Sequence, residues 1–295
     1  MSALLKRHIE PFEKYFSRKG IIEISINKPG EVWLETAQGW EKKKDPSMSL
    51  QNLNDFAQVL ATYQGQKFSE NIPLLSTSIP GWGYRIQVVS GALSESGIAI
   101  SIRIAQARKF ELIDYMSKTE ATKLKKAVEA NKTILVAGGT GSGKTTFLNS
   151  LICYILKETR LLVIEDTKEL ITDNHDNVVR LIKSKTGTDI AKISYKDIIN
   201  SCVRLRPDRL LLGELDIENT VPFLRLLNTG HGGSMSTIHA DGAKQAIEAI
   251  ILNARLNGLG DIEAIRQYAL QAIDIIVFIE RLPGRKFKAK SEKIK

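Results

Sequence analysis

A glycine-rich stretch that ends in lysine and threonine carries the clearest chemistry in this sequence. Residues 138–145 read Gly-Gly-Thr-Gly-Ser-Gly-Lys-Thr and fit the pattern G-x-x-x-x-G-K-[ST]. Glycines bring no side chains, so backbone N–H groups can wrap a phosphate at the positive end of a helix. Lys144 would then reach the β- and γ-phosphate oxygens, and the Thr145 hydroxyl would bind Mg²⁺. The stretch predicts a nucleotide site formed by Gly138, Gly139, Thr140, Gly141, Ser142, Gly143, Lys144, Thr145 and Thr146.

The segments on either side of this loop have the order that a phosphate-binding loop requires. Residues 133–137 form a short apolar run typical of a buried parallel strand, and residues 146–153 carry apolar side chains at helical spacing. Strand, glycine-rich loop and helix in this order favour a phosphate site over the alternative, a flexible glycine turn between two elements.

Acidic residues follow two further apolar runs. Glu214 comes directly after Leu210-Leu211-Leu212-Gly213, and Glu165 after the run 161–164. In open α/β sheets ligands bind at the carboxyl ends of the strands. Glu214 is therefore predicted to hold Mg²⁺ through water or to polarise the attacking water. The cluster that begins at Glu165 is a second acidic group at a strand end. Its alternative interpretation is structural, because Asp166 or Thr167 is suited to cap a helix.

A histidine ends another candidate strand. His239 follows residues 234–238, where its ring could donate a hydrogen bond to a γ-phosphate. A lone histidine is more often structural, but His231 lies in the loop before the same strand. The catalytic and the structural interpretation of His239 therefore stay equally open.

Length and composition describe a folded protein with room for two domains. The chain has 295 residues, 43% of them hydrophobic and 25% charged. No apolar run approaches the ~20 residues that span a bilayer, and the first residues lack the apolar region of an export signal, so we expect a cytoplasmic protein. Cys153 and Cys202 stand far apart and indicate neither a disulfide framework nor a zinc site.

The first part of the chain is predicted to be a smaller α+β domain covering residues 1–107. It begins with a short helix over 4–18, broken at Pro11, and continues with hairpin strands, a helix over 49–63 and more strands. Residues 108–118 lose the strand pattern and are predicted to be a linker.

The second part is predicted to be a nucleotide-binding α/β domain over residues 119–283. Strands and helices alternate there, which predicts a doubly wound, mainly parallel sheet. Residues 284–295 are predicted to be a frayed, solvated basic tail. The net charge of +9, to which this tail contributes, weakly favours contact with an anionic membrane surface or with nucleic acid.

Four stretches of the chain occur in an order typical of one protein family. They are Gly-Gly-Thr-Gly-Ser-Gly-Lys-Thr-Thr (138–146), Ile-Glu-Asp-Thr-Lys-Glu-Leu (164–170), Leu-Arg-Pro-Asp-Arg-Leu-Leu-Leu-Gly-Glu-Leu (205–215) and Asn-Thr-Gly-His-Gly-Gly-Ser-Met-Ser-Thr-Ile-His-Ala (228–240). They resemble, in family order, the Walker A, Asp, Walker B and His boxes of the secretion and traffic ATPases, specifically the hexameric ATPases of type IV secretion systems. The resemblance implies a RecA-like fold for the second domain and hydrolysis of ATP with Mg²⁺.

The same resemblance implies roles for the strand-end residues. Glu165 matches the Asp-box acid near the metal, and Glu214 matches the Walker B catalytic acid. His239 matches the γ-phosphate sensor of the His box. Glu165, Glu214 and His239 are thus the predicted catalytic residues, and the metal would be held by Thr145, Glu214 and Glu165.

Arginines outside the four boxes are further candidates. Arg85 and Arg103 resemble arginines of the first domain that close onto the nucleotide phosphates, although each alone is an arginine in a strand pattern. Arg204 and Arg206 are weaker candidates for contact with phosphate or with a neighbouring subunit.

Two positions depart from the family pattern. After Gly213-Glu214-Leu215 the family usually has arginine, and this chain has Asp216. Three residues later a glutamate is usual, and this chain has Asn219. The reversed charge argues against a cationic role at position 216.

The expected partners follow from the resemblance. It implies a homohexameric ring at the inner membrane that contacts other secretion-system ATPases and inner-membrane components. Three alternatives stay open: a pilus assembly or retraction motor, a nucleotide-gated docking scaffold, and a nucleic-acid motor. The four-cysteine insertion of the pilus-assembly branch is absent, and with 6% aromatic residues and no basic stripe we expect no specific nucleic-acid readout.

Overall fold

The computed structural model describes residues 1–104, 110–184, 187–282 and 286–295. It divides into two compact units, which are described separately. The first comprises Met1–Arg108 with the short segments Asp166–Lys168 and Lys183–Lys192. The second comprises Lys109–Glu165, Glu169–Ile182 and Ile193–Lys295. The predicted boundaries at 107/108 and 283/284 lie outside the described residues.

The first unit is built on an antiparallel sheet. Its strands are β1 (Glu23–Ile26), β2 (Glu31–Thr36), β3 (Gly39–Lys44), β4 (Leu74–Ile79), β5 (Tyr84–Ser90) and β6 (Ile98–Arg103), in the order β3-β2-β1-β6-β5-β4. Its helices are α1 (Ala3–Phe16) and α2 (Leu50–Tyr63). Apolar side chains of both helices and of the sheet form one buried core, which confirms the predicted α+β class.

Helix α1 corrects the predicted break at Pro11. The helix continues through this residue from Ala3 to Phe16. Its apolar stripe, which includes Leu5, Ile9 and Phe12, is buried in the core. Burial of that stripe offsets the hydrogen bond that proline cannot donate, so tertiary packing overrides the local preference.

The second unit is an α/β layer structure. Its strands are β7 (Ile134–Gly138), β8 (Leu161–Glu165), β9 (Val178–Ile182), β10 (Arg209–Leu212), β11 (Met235–Ile238), β12 (Ile275–Leu282) and β13 (Lys286–Lys293). Its helices are α3 (Lys118–Glu129), α4 (Lys144–Ile152), α5 (Tyr195–Arg204), α6 (Thr220–Leu227), α7 (Ala243–Leu256) and α8 (Ile262–Ala272). Within the described residues the strand order is β13-β12-β7-β11-β10-β8-β9, and only the β12–β13 pair is antiparallel. The predicted doubly wound, mainly parallel sheet is confirmed.

The basic end of the chain corrects the predicted frayed tail. Lys286–Lys293 forms strand β13, which pairs along its whole length with β12. Phe287 and Ala289 pack on the core, whereas Lys286, Lys288 and Lys290 are exposed. This period-two alternation is the strand signal, and the high lysine content concealed it.

No helix in the described ranges is long and apolar enough to cross a membrane.

Candidate active site

The carboxyl ends of the central parallel strands bring the predicted chemistry together. The glycine-rich loop follows β7, and His239 follows β11, its neighbour. Glu214 lies two residues beyond β10, which pairs with β11 on the other side. Parallel pairing places these three strand ends at one edge of the sheet.

The glycine-rich loop requires glycine at several positions, for lack of space at one and for backbone conformation at two. A Cβ on Gly138 would lie 2.4 Å from Ser142 Oγ and 2.8 Å from the Ile279 carbonyl oxygen. Gly141 and Gly143 have φ of +69° and +89°, a left-handed backbone that favours glycine. Ser142 Oγ is buried and has no hydrogen-bond partner among the described residues. A cradle of this kind fits a nucleotide phosphate.

Lys144 opens helix α4 and is 8% exposed. Its Nζ donates to the carbonyl oxygens of Gly138 at 3.0 Å and of Gly139 at 3.1 Å. The same ammonium lies 3.1 Å from Nδ1 of His239. The charge is thus held directly above the loop, at the positive end of the helix, where an anion is favoured.

His239 connects the loop lysine to the Walker B acid. Its Nε2 lies 2.7 Å from Oε1 of Glu214. With Nε2–H donating to the carboxylate, Nδ1 is left as the acceptor for the Lys144 ammonium. The three predicted residues therefore form one continuous polar chain.

The two departures from the family pattern support Glu214. Asn219, which is 1% exposed, donates from Nδ2 to the Glu214 carbonyl oxygen at 2.9 Å. Its Oδ1 accepts from the Asp216 backbone N–H at 2.9 Å. The Asp216 carboxylate in turn accepts from the N–H groups of Glu218 and Asn219. Asp216 and Asn219 thus cap the turn that follows Glu214, a role that sequence reasoning missed.

Glu165 lies in a different environment from Glu214. It is 3% exposed, and its Oε1 accepts from the N–H groups of Glu169 at 2.8 Å and Leu170 at 2.7 Å. Its Oε2 bonds the Arg180 guanidinium. Burial raises the pKa of Glu165 to about 7, against these three bonds, which lower it. Both carboxylate oxygens are committed to the protein, so the contacts favour a loop-organising role over metal binding.

Arg180 and Asn149 complete the support of this loop. Arg180 also donates to the Leu170 carbonyl and to Thr172 Oγ1, each at 3.0 Å. Asn149, on α4, donates to the Glu169 carbonyl at 3.0 Å and accepts from the Ile171 N–H at 2.8 Å. The sequence offered no signal for either residue, because their partners are set by the fold.

Arg206 lies away from the phosphate loop. It precedes β10, at the amino ends of the parallel strands, and has φ of +50°. The length of β10, roughly 13 Å, separates it from the edge that carries the loop. Arg204 ends α5 at the same edge. Both arginines lie at the edge of the sheet opposite to the loop, and a role in contact with phosphate or with a neighbouring subunit stays a prediction.

Arg85 and Arg103 lie side by side in the first unit. They are directly opposite each other on β5 and β6. Arg85 forms an ion pair with Asp166 at 3.0 Å within the same unit. Two guanidinium groups opposite each other repel unless an anion is shared, so their placement is compatible with phosphate binding.

The residues at the loop fit a nucleotide with its magnesium ion. Thr145 is the second residue of α4, and Glu214 stands beyond the end of β10, which is separated from β7 by β11 alone. Mg²⁺ typically takes one or two protein oxygens and fills its shell with phosphate oxygens and water. The described residues contain no cluster of three or more His, Cys, Asp or Glu side chains that could hold a metal ion.

Known proteins resemble this chain over most of its length. The profile of a family described as type II/IV secretion system protein matches residues 78–277. The type IV secretion system protein VirB11 of Bartonella quintana is 35% identical, covering 97% of this chain and 91% of the relative. The type IV secretion system protein PtlH of Bordetella pertussis is 31% identical, covering 94% and 91%.

Solved structures resemble it as well. The VirB11 ATPase of the Brucella suis type IV secretion system, in complex with sulphate, is 28% identical with a TM-score of 0.53, covering 99% of this chain and 94% of that one. The Legionella pneumophila ATPase DotB has a TM-score of 0.70 at 18% identity, covering 97% and 79%. The pilus retraction motor PilT with bound ADP has 0.65 at 19%, covering 98% and 83%. The last two show a shared fold.

Proposed function

The chain belongs to the type II/IV secretion system protein family, as a type IV secretion traffic ATPase, and we propose that it hydrolyses Mg²⁺-ATP to drive the assembly of a secretion machine or the transfer of its substrate. The observation that carries the proposal is the contact chain from Lys144 through His239 to Glu214. It joins the charge that binds phosphate to the acid that activates water.

Each of the three residues in this series of contacts has its own part in the proposed hydrolysis. Lys144 and the loop N–H groups bind and orient the β- and γ-phosphates. Glu214 accepts a proton from the water that attacks the γ-phosphorus. His239 orients the Glu214 carboxylate through Nε2–H and accepts from the Lys144 ammonium at Nδ1, so it links the two groups. Mg²⁺, held by Thr145 and Glu214, would neutralise charge on the phosphate oxygens.

The assembly and location of the protein are part of the same proposal. Homohexameric rings at the inner membrane, in contact with other secretion-system ATPases and inner-membrane components, suit a chain related to VirB11 along its length. The exposed lysines of β13 provide a basic face for an anionic membrane surface. Arg85 and Arg103 would contribute to nucleotide binding.

The test is ATP turnover of the purified chain beside mass analysis with and without nucleotide. Lys144→Ala should abolish turnover and retain the fold, because the lysine serves the phosphates. Lys123→Ala, on the exposed side of α3, is the matched control and should behave like the wild type. Wild-type turnover in Lys144→Ala would refute the site.

A docking scaffold remains the second candidate, and secretion separates it from the motor. A scaffold needs nucleotide binding alone, so secretion would persist in a variant that binds ATP without hydrolysing it. The complete polar chain at Glu214 favours the motor, for which secretion should stop in Glu214→Gln.

A further inference from the structure

The hairpin formed by β12 and β13 lies along the phosphate loop. A Cβ placed on Gly138 would lie 2.8 Å from the Ile279 carbonyl oxygen of β12. One on Gly141 would lie 3.9 Å from Nη1 of Arg281, and one on Gly143 only 3.3 to 3.7 Å from the ring of Phe287. Three of the loop's glycines therefore face the hairpin, which forms a wall of the site.

Phe287 is fixed in this wall by aromatic neighbours. Its ring lies 5.7 Å from those of both Phe110 and Tyr115. Tyr115 in turn meets Phe147 of helix α4 edge-on at 4.9 Å. The Ala289 N–H of β13 donates to the Tyr115 carbonyl at 2.9 Å. The Phe287 ring thus packs beside Gly143 and is connected through Tyr115 to Phe147 of helix α4. This packing is suited to hold the start of α4 in place.

Arg281 stands opposite Phe287 in the hairpin register. Its guanidinium is exposed and makes no ion pair or side-chain hydrogen bond with any residue that the structure describes. Lys144 and the amino end of α4 already make the loop positive. A third positive group there is unfavourable by itself and becomes favourable when an anion binds between them.

We propose that the β12–β13 hairpin is part of the nucleotide site, in which Arg281 binds a phosphate of the nucleotide and Phe287 positions the loop. The inference rests on the proposed function, because the anion is the bound nucleotide. It assigns a positioning role to Phe287, which lies in the segment 284–295 whose composition predicted a solvated tail.

Titration of a fluorescent ATP analogue against the full chain tests Arg281. Arg281→Gln should raise the Kd about tenfold or more, since a charge-assisted bond to phosphate is lost. Lys290→Gln removes the same charge from the exposed face of the same hairpin and should leave the Kd unchanged. An unchanged Kd in Arg281→Gln, or an equal rise in Lys290→Gln, would overturn the inference.

Amide hydrogen exchange tests Phe287. Phe287→Ala should speed exchange across 138–145 without nucleotide and weaken ATP binding, and Phe287→Leu should restore part of both. If Phe287→Ala lowers thermal stability but leaves loop exchange and Kd as in the wild type, the positioning role is wrong. A wild-type chain that binds no nucleotide would refute the proposed function itself, whereas normal binding with unaffected hairpin variants refutes this inference alone.

Discussion

His239 and Glu214, 25 residues apart in sequence, meet through Nε2 and Oε1 at 2.7 Å. The contact fixes the orientation of the carboxylate and the tautomer of the ring together. Lys144 lies on the other ring nitrogen. A change at one of the three residues should therefore alter the geometry of the other two.

Glu214→Gln should bind ATP nearly as the wild type does and hydrolyse it at least about a hundredfold more slowly. The amide retains the size of the carboxylate but cannot take the proton of the attacking water. Binding by titration and turnover by phosphate release check this. A parallel loss of binding and turnover would make Glu214 a structural group.

Asn219→Ala should lower turnover and leave the Kd for ATP little changed. It removes the bonds to the Glu214 carbonyl and the Asp216 N–H, and each buried group left unpaired costs roughly 1–3 kcal/mol. Asn219→Asp keeps the acceptor but loses the donor, so its turnover should fall between those of Asn219→Ala and the wild type. Steady-state kinetics measure both variants, and normal turnover in Asn219→Ala would contradict the supporting role.

Arg180→Met should destabilise the second unit strongly, because it leaves the buried Glu165 without its cation, at a cost of about 3–5 kcal/mol. Adding Glu165→Gln in the same chain should restore part of that stability. Denaturant unfolding measures both. The Mg²⁺ concentration for half-maximal turnover should be unchanged in Glu165→Gln. A large change in that concentration would instead support a role of Glu165 in binding the metal.

Arg85→Ala and Arg103→Ala should each weaken ATP binding by tenfold to about a hundredfold, if each arginine makes a charge-assisted bond to phosphate. The fold should lose little, since the two like charges face each other. Arg18→Ala, which breaks only an exposed ion pair with Glu41, is the control and should bind normally. Normal binding in both variants would contradict a phosphate-binding role for these arginines.

The first unit should lose stability in acid through Asp45. Burial would raise the pKa of this carboxyl, but bonds from Lys14, Ser47 and Tyr15 together lower it from 3.8 to about 2. The carboxylate therefore contributes stability above pH 3.8, about 2 kcal/mol, which is lost as pH falls through about 2. Urea unfolding at pH 5 and pH 2.5 should show a smaller acid loss in Asp45→Asn than in the wild type. Equal losses would contradict the assignment.

The sequence by itself determined the phosphate loop and the class of the fold. The loop is local, because its function requires glycines, a lysine and a threonine at fixed spacing between a strand and a helix. The alternation of strands and helices likewise predicts a parallel sheet, and parallel strands place Glu214 and His239 at the loop's edge. These conclusions needed no knowledge of which side chains touch.

Tertiary structure decided the contacts between distant segments. Lys144 and His239 are 95 residues apart and meet only because β7 and β11 are neighbours in the sheet. Glu165, like Glu214, is an acid that follows a run of apolar residues. Its carboxylate is nevertheless bonded by Arg180 and by two backbone N–H groups, because β9, which carries Arg180, pairs with β8.

The end of the chain shows the same division. Its lysines predicted solvent exposure, but pairing with β12 and packing of Phe287 and Ala289 on the core made it a strand beside the phosphate loop. Composition reports the average polarity of a segment, whereas a strand needs only one apolar face and a partner with an unpaired edge. The partner is chosen by the fold, and the sequence of the segment alone does not contain it.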